Sequence, residues 1–286
     1  MDLNARVRAL LTKTVSVVWT WRHLIISIIS LAAFIEIWAL YSAWLRGDPP
    51  FEFRHWVVTA EYIPYPWTVF HAFVGSFTVP DPFSGLYMTD HIYASLKRIS
   101  IAFFLSFVTA VPLGLLLGRS RTAESISNPL VEMFRPIPPL AWVPIFLVIF
   151  KFFWGPILIV FLGIFFPLLL NVRLGARSVD PMLVDASKTL GASRSQIFGK
   201  VIFPYSVPYM MTGIKVGLGI GWMCIVAAEM LGAVGGGVGY YIFATAGVSR
   251  YDLMYAGLVT IGLLSVLTTG VAGLVERRMY RWMGME

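Results

Sequence analysis

Charge is what this chain has least of. Asp, Glu, Lys and Arg make up 13% of 286 residues, about half the share of a soluble domain. The apolar set A, V, I, L, M, F, W, Y and C makes up 58%, with 25 Gly beside it, and the mean hydropathy is +0.76. That leaves too little polar surface to cover a water-soluble globule. An ordinary cytosolic enzyme, a disordered chain and a coiled coil are excluded. Cysteine is nearly missing. Cys224 stands alone, so there is no disulfide framework and no Cys-based zinc site. His23, His55, His71 and His91 fall at spacings that fit no zinc pattern, and the last three read as solvated loop histidines. A phosphate-binding G-x-x-x-x-G-K-[ST] loop is missing too. Gly199-Lys200 is followed by Val201 and lacks the upstream glycine.

Apolar runs stand in place of charge. A spanning helix needs about 20 mostly apolar residues. Runs occur at 24–45, about 99–118 with a start as early as Tyr93, 140–153, 155–171, about 210–231 and 253–275. The break between the third and fourth is only Lys151, Trp154, Gly155 and Pro156, which fits a tight turn between two spans. The expected fold class is therefore an all-α polytopic membrane protein with six transmembrane helices. Residues 1–23 read as a basic amphipathic segment on the inner leaflet, and 24–45 as the first transmembrane helix. The first run is longer than a signal-peptide core and no small-x-small cleavage site follows it, so it reads as uncleaved. Residues 46–92 form an outer loop rich in proline, with one short helix at 69–74. Residues 93–275 are the membrane core, with an inner loop at 172–205, and 276–286 are a tail.

The net charge of +7 does not point to nucleic acid, because the basic residues lie at the ends of apolar runs. That is the pattern of membrane topology. With the N-terminus inside, the inner segments hold Arg6, Arg8, Lys13, Arg22, Arg119, Arg121, Arg135, Arg173, Arg177, Lys188, Arg194, Lys200, Arg277, Arg278 and Arg281. The outer segments hold only Arg46, Arg54, Lys97, Arg98, Lys151 and Arg250. Both termini are expected in the cytoplasm. Trp19 and Trp21, Tyr41 and Trp44, Tyr205 and Tyr209, and Tyr280 and Trp282 bracket the runs as interfacial aromatics do.

The inner loop carries the most local information. Asp180 is a good N-cap and Pro181 a good first helical residue. Leu183, Ala186 and Leu190 repeat at helical spacing, and Gly191 sits where a left-handed C-terminal cap belongs. Ser193 with Gln196 makes a capping box. Two short helices joined at a corner around Gly191 and Ala192 are expected. The plain alternative is an amphipathic connector.

The same loop resembles the permease subunits of bacterial ATP-binding-cassette (ABC) importers. Their inner-loop motif is E-A-A-x-x-x-G, nine residues, then I-x-L-P. This chain has Asp185-Ala186-Ser187, three residues, Gly191, nine residues, then Val201-Ile202-Phe203-Pro204. Ala186, Gly191 and Pro204 match at the same spacing. Asp185 keeps the charge with a shorter reach. Further strings resemble the nitrate, sulfonate, taurine and bicarbonate branch. They are Ala94-Ser95-Leu96-Lys97-Arg98, the run from Pro112 to Arg121, Phe134-Arg135-Pro136-Ile137-Pro138-Pro139-Leu140-Ala141-Trp142-Val143-Pro144, and the run from Ala227 to Ala233.

The resemblance covers roughly residues 62–282. It implies a type I importer-like permease, no catalysis by this chain and no cofactor bound by it, with ATP and Mg held by a partner ATPase. It implies two ATPase copies, a second copy of this permease and an extracytoplasmic substrate-binding protein, all at the bacterial inner (plasma) membrane. The ATPase-coupling residues would be Asp185, Ala186, Ser187, Leu190, Gly191, Ala192, Ser193 and Pro204. The solute would be a small anion, or a thiamine-precursor-like molecule. A membrane-embedded enzyme and a non-ABC channel or carrier are the competing classes.

Pathway candidates come from the residues that a lipid-facing helix would avoid. Arg135 with Pro136, Pro138, Pro139 and Pro144 breaks the start of the third span, and broken backbone at membrane depth needs a cavity or protein around it. Arg135, Pro138, Pro139 and neighbouring Trp142 are therefore candidates. A bent structural helix is the alternative. Gly213, Gly217 and Gly221 form a close-packing stripe, beside the pathway, at a dimer seam or in ordinary helix packing; Gly114 and Gly118 do the same in span two. Glu36, Lys215 and Glu229 are ionisable groups within spans and each needs a reason. Glu36 is read as structural, Lys215 as snorkelling, and Glu229 as either a gating residue or a satisfied buried acid. The run Gly235-Gly236-Gly237-Val238-Gly239 reads as a flexible outer loop.

Overall fold

The computed structural model describes residues 3–46, 62–232 and 235–283, and the chain divides into two compact units, Met1–Ala72 and Phe73–Glu286. The first unit is dominated by α1 (Leu3–Arg46). The expected division at residue 23 is not a break in the helix, which runs through without interruption. From Ile25 onward Ile28, Ile29, Leu31, Phe34, Ile37 and Leu40 are all exposed, an apolar surface on every side that suits lipid. Glu36 lies on the same exposed surface. At the end of α1 the Ser42 hydroxyl donates to the Ile63 carbonyl at 2.9 Å, and the Arg46 guanidinium lies 4.0 Å from the Tyr65 ring centroid. Residues 47–61, with Arg54 and His55, lie outside the described residues. So do the side chains of Trp19, Trp21, His23 and Trp282.

α2 (Pro66–Gly75) lengthens the expected 69–74 helix and leads into the second unit. There follow α3 (Met88–Arg119), α4 (Arg121–Phe134), a 3-10 turn (Pro139–Trp142) and α5 (Val143–Arg177). Next come α6 (Pro181–Thr189), α7 (Arg194–Ile197), a π turn (Phe198–Ile202), α8 (Phe203–Gly232), α9 (Val238–Gly247) and α10 (Tyr251–Trp282). Five stretches among the described residues are long and apolar enough to cross a membrane: Ile25–Arg46, Met88–Arg119, Pro139–Arg177, Arg194–Leu231 and Tyr251–Arg281. The chain is an all-helical, multi-pass membrane protein.

The third stretch has a corner. Lys151 has φ 59° and ψ −174°, backbone that no helix contains. Just beyond it a Cβ on Gly155 would lie 3.1 Å from the Phe146 carbonyl oxygen and 3.3 Å from the Leu147 Cα. In a straight helix, residues eight apart are separated by about 12 Å along the axis. The chain therefore reverses at Lys151, and the short arm 139–150 folds back on the long arm 155–177.

The long arm of α5 is the centre of the bundle, with α3 on one side and α8 on the other. Small residues make both contacts close. A Cβ on Gly118 would lie 2.6 Å from the Ala176 Cβ, and one on Gly114 2.8 Å from the Val172 Cβ. Across the other face, Gly213 meets Leu168 and Asn171, and Gly217 and Gly221 meet Ile164 at 3.1 and 3.0 Å. Helices in lipid gain little from hydrophobicity and associate through such close backbone approach. The stripe at Gly213, Gly217 and Gly221 is thus seated within its own chain. Leu168, Leu169, Val172, Met210 and Ile214 fill one buried cluster, and Ile157, Val160, Ile164, Trp222 and Ile225 a second. Trp222 Nε1 donates to Thr268 Oγ1 at 2.8 Å, tying α8 to α10.

Two helices appear where the sequence shows only connectors. α4 is amphipathic: Ile126, Leu130 and Met133 are exposed, while Glu124 and Asn128 accept from Arg177 and Arg173 at 3.1 and 2.9 Å. α9 is a short helix between α8 and α10, buried along Val238, Tyr241, Ile242 and Thr245.

Candidate coupling loop and transport pathway

α6 and α7 fold from local signals. The Asp180 side chain accepts from Met182 N at 2.8 Å, and Pro181 opens the helix without an orphan N–H. At the far end Gly191 has φ +78°. Ala192 N donates to Ser187 O at 3.0 Å and Gly191 N to Lys188 O at 2.9 Å, a Schellman cap. Ser193 and Gln196 then exchange side chain-to-backbone bonds of 3.3 and 2.8 Å, the reciprocal capping box that opens α7. Pro204 lacks an N–H for the Lys200 carbonyl, and the chain passes through the π turn there, with Phe203 N bonded back to Phe198 O.

The surface of α6 is unlike that of a self-sufficient helix. Only Val184 is buried; Met182 is 75%, Leu183 49% and Leu190 87% exposed. Asp185 accepts from Lys188 Nζ at 2.8 Å in an exposed pair. Ser187 donates to the Leu183 carbonyl at 2.7 Å. Ser187, Leu190, Gly191 and Ala192 line a groove of about 330 Å³ with Gln196, Ile197, Lys200 and Val201. Met182, Leu183 and Leu190 are thus large apolar side chains left uncovered on and just beyond a short helix that is capped at both ends.

The eight pathway candidates separate into four places. Arg135, Pro139 and Trp142 meet around a cavity of about 350 Å³ whose wall includes Phe134, Phe146, Phe166 and Ile220. Phe134, Trp142, Phe146 and Phe150 follow one another at ring distances of 6.1, 5.7 and 5.5 Å. Pro138 is the N-cap of the 3-10 turn. Arg135 is half-exposed, 3.8 Å from Glu132, and is the one charged group in that apolar wall. Lys215 is not there. Its ammonium lies 3.0 and 2.7 Å from the two Glu276 oxygens, and Tyr280 Oη donates to Glu276 Oε1 at 3.2 Å. A partner on α10 thus replaces the expected snorkelling. Gly217 and Gly221 pack on Ile164, as above.

Glu229 is the fourth place, and its partners come from elements the sequence does not link to it. Arg98, read as an outer-loop cation, is buried in α3. Its Nη1 donates to Glu229 Oε1 at 2.7 Å and to the Gly236 carbonyl at 2.8 Å. Ser95 Oγ lies 2.9 and 2.8 Å from the two Glu229 oxygens and accepts from Val238 N at 2.9 Å. Gly239 N donates to Glu229 Oε2 at 3.0 Å. His91, expected in a solvated loop, is fully buried and accepts from Gly237 N at 3.1 Å through Nδ1.

The glycine run is also corrected. Gly235, Gly236 and Gly237 have φ of 80°, 84° and 141°, and Gly236 and Gly237 are buried. Residues 235–239, which run into the first turn of α9, are held by hydrogen bonds to α3 and α8 in place of the open loop the sequence suggests. The sequence does hold a signal for this network: Ser95 and Arg98 share a helix face at i,i+3, and a membrane-embedded Glu demands a partner. Among the described residues no three His, Cys, Asp or Glu side chains gather as a metal site.

Residues 110–281 match the family described as binding-protein-dependent transport system inner membrane component. The chain belongs to this family of ABC-importer permease subunits. The taurine transport system permease TauC of Escherichia coli is 30% identical over 93% of this chain and 94% of its own length. The nitrate import permease NrtB of Synechocystis is 35% identical over 62% of this chain and 64% of its own. The inward-facing MetNI methionine ABC transporter contains a chain that superposes with a TM-score of 0.59 at 21% identity, covering 67% of this permease and 95% of that chain, a likeness of fold. Permease subunits of this family are not themselves catalytic; what they provide is a route through the membrane.

Proposed function

We propose that two copies of this permease form the membrane pathway of an ATP-driven importer for a small anion. The anion would be nitrate, bicarbonate, a sulfonate or a taurine-like solute, handed over by an extracytoplasmic binding protein. Two ATPase subunits, which hold the ATP and Mg, dock on α6. The observation that carries this reading is α6 itself: a helix capped at both ends whose Met182, Leu183 and Leu190 stand bare. A rigid, apolar peg transmits a push from a partner, which a floppy loop cannot do.

The Lys- and Arg-rich end of the bundle, with α6, faces the cytoplasm, as do both termini, by the charge asymmetry of the segments. Counting the arm 139–150 as a crossing gives six spans, an even number that this orientation requires; the reversal at Lys151 supports it. The named solutes of TauC and NrtB and the single cation Arg135 in the aromatic cavity support an anion. Arg135, Pro139 and Trp142 are the pathway residues we favour.

The test is reconstitution in vesicles with its ATPase and binding protein. ATP-dependent uptake of a small anion, with the same anion found by mass spectrometry on the purified binding protein, is the expected result. Uptake by the permease alone without ATP refutes the reading.

A further inference from the structure

We propose that Arg98 and Glu229 are positioning residues that hold the outer closure of this permease, formed by the 235–239 turn and α9. The inference rests on the orientation and ATP-driven cycle proposed above. The turn has almost no side chains of its own. Three successive positive-φ glycines leave its path to whatever its backbone groups bind. Those partners all lie on α3 and α8. Gly236 O takes Arg98, Gly237 N takes His91, Val238 N takes Ser95 and Gly239 N takes Glu229. Arg98 and Glu229 in turn bind each other across the two helices.

This arrangement makes the turn a reporter of the distance between α3 and α8. If these helices separate at this end, as opening to the outside demands, the Arg98–Glu229 pair and the turn's bonds cannot all survive. Breaking a buried pair without new partners is costly, so the closed arrangement is a discrete state and not one point on a continuum. A cavity of about 280 Å³ reaches Arg98 from the side of Asp90, Lys97 and Gly235, giving water a route to the pair once it loosens. α9, seated on the turn with Thr245 fully buried, is the element released.

The experiment uses the reconstituted complex with Glu229→Gln. This change keeps the volume and removes the charge that Arg98 grips. Expected are ATP hydrolysis without the loaded binding protein raised at least about fivefold, the low end of a typical coupling between sites, and reduced uptake. In a Cys224→Ala background, Thr245→Cys should resist an impermeant thiol reagent applied outside. Adding Glu229→Gln should make it react. A role confined to stability would lower membrane levels and leave hydrolysis dependent on the binding protein. Arg98→Lys, which keeps the charge on a shorter head, is the second variant and should give an intermediate rise. Unchanged hydrolysis and labelling in whichever variant inserts normally overturns the proposal. Wild-type hydrolysis that never responds to the binding protein would instead sink the importer reading.

Discussion

Two glycine corners of this permease do opposite work. Gly191, at the end of α6, has φ +78° and nothing within 4 Å of where a Cβ would stand. Gly237, before α9, has φ +141°, and a Cβ there would lie 2.5 Å from the Glu229 carboxyl carbon. The first corner is shaped by its own sequence and projects bare apolar side chains. The second is shaped by groups on α3 more than 130 residues away in the chain, together with Glu229 of α8, and is sealed. One corner is open and the other packs against its own helices, so the same residue type carries different penalties.

The largest effect is expected at the sealed corner. Gly237→Ala combines a backbone region reserved for glycine with a clash into the carboxylate that Arg98 holds. Displacing that carboxylate breaks a buried ion pair, a loss of about 3–5 kcal/mol. Because the backbone strain and the clash come on top of the lost pair, membrane levels and thermal stability in detergent should fall well below those of Glu229→Gln, and levels equal to that variant's would show that the turn can yield.

Gly191→Val is next in size and different in kind. The added side chain enters open space, so the cost is the left-handed backbone alone, about 1–2 kcal/mol. The spans should insert at wild-type levels. α6 would then meet the ATPase at the wrong angle, and uptake should be lost with hydrolysis no longer stimulated by the loaded binding protein. Wild-type uptake from Gly191→Val would remove α6 from the coupling route.

The contrast also explains which features are legible in the amino-acid sequence. The caps of α6 and α7 lie within a few residues of the helices they close, so Asp180, Gly191, Ser193 and Gln196 can be read directly. The reversal near Lys151 is visible as a cluster of breakers. The Glu229 network is not, because Ser95 and Arg98 join it only after α3 and α8 pack together. Arg98 reads as an outer-segment cation for the same reason. Gly213, Gly217 and Gly221 announce a close contact, but only the position of α5 says with what. α9 escapes notice because ten residues are too few to read as a span, and α4 because its apolar stripe is interrupted by charge.

A third substitution sharpens the idea that the open corner serves a partner. Leu190 is 87% exposed, so Leu190→Asp should leave the fold alone. Burying a leucine against a partner is worth about 1.5–3 kcal/mol. The permease should therefore bind its ATPase roughly tenfold to a hundredfold more weakly, as read by titration in detergent. Unaltered binding would move the docking surface away from this end of α6.

The smallest effect is expected one helical turn earlier, at the acidic position of the motif. Asp185 and Lys188 pair at 2.8 Å with side chains 70% and 61% exposed. An exposed helix pair of this spacing contributes only about 0.3–0.5 kcal/mol, and α6 keeps both caps without it. Asp185→Asn should therefore leave membrane levels unchanged and weaken ATPase binding less than about threefold, within the range a surface pair can supply. The comparison with Leu190→Asp decides what α6 presents. If the apolar substitution is the more damaging, the docking contact is hydrophobic and the carboxylate only trims the helix surface. If Asp185→Asn weakens binding tenfold or more, the ATPase grips the carboxylate itself, the pair with Lys188 opens on docking, and Leu190 flanks the contact without anchoring it.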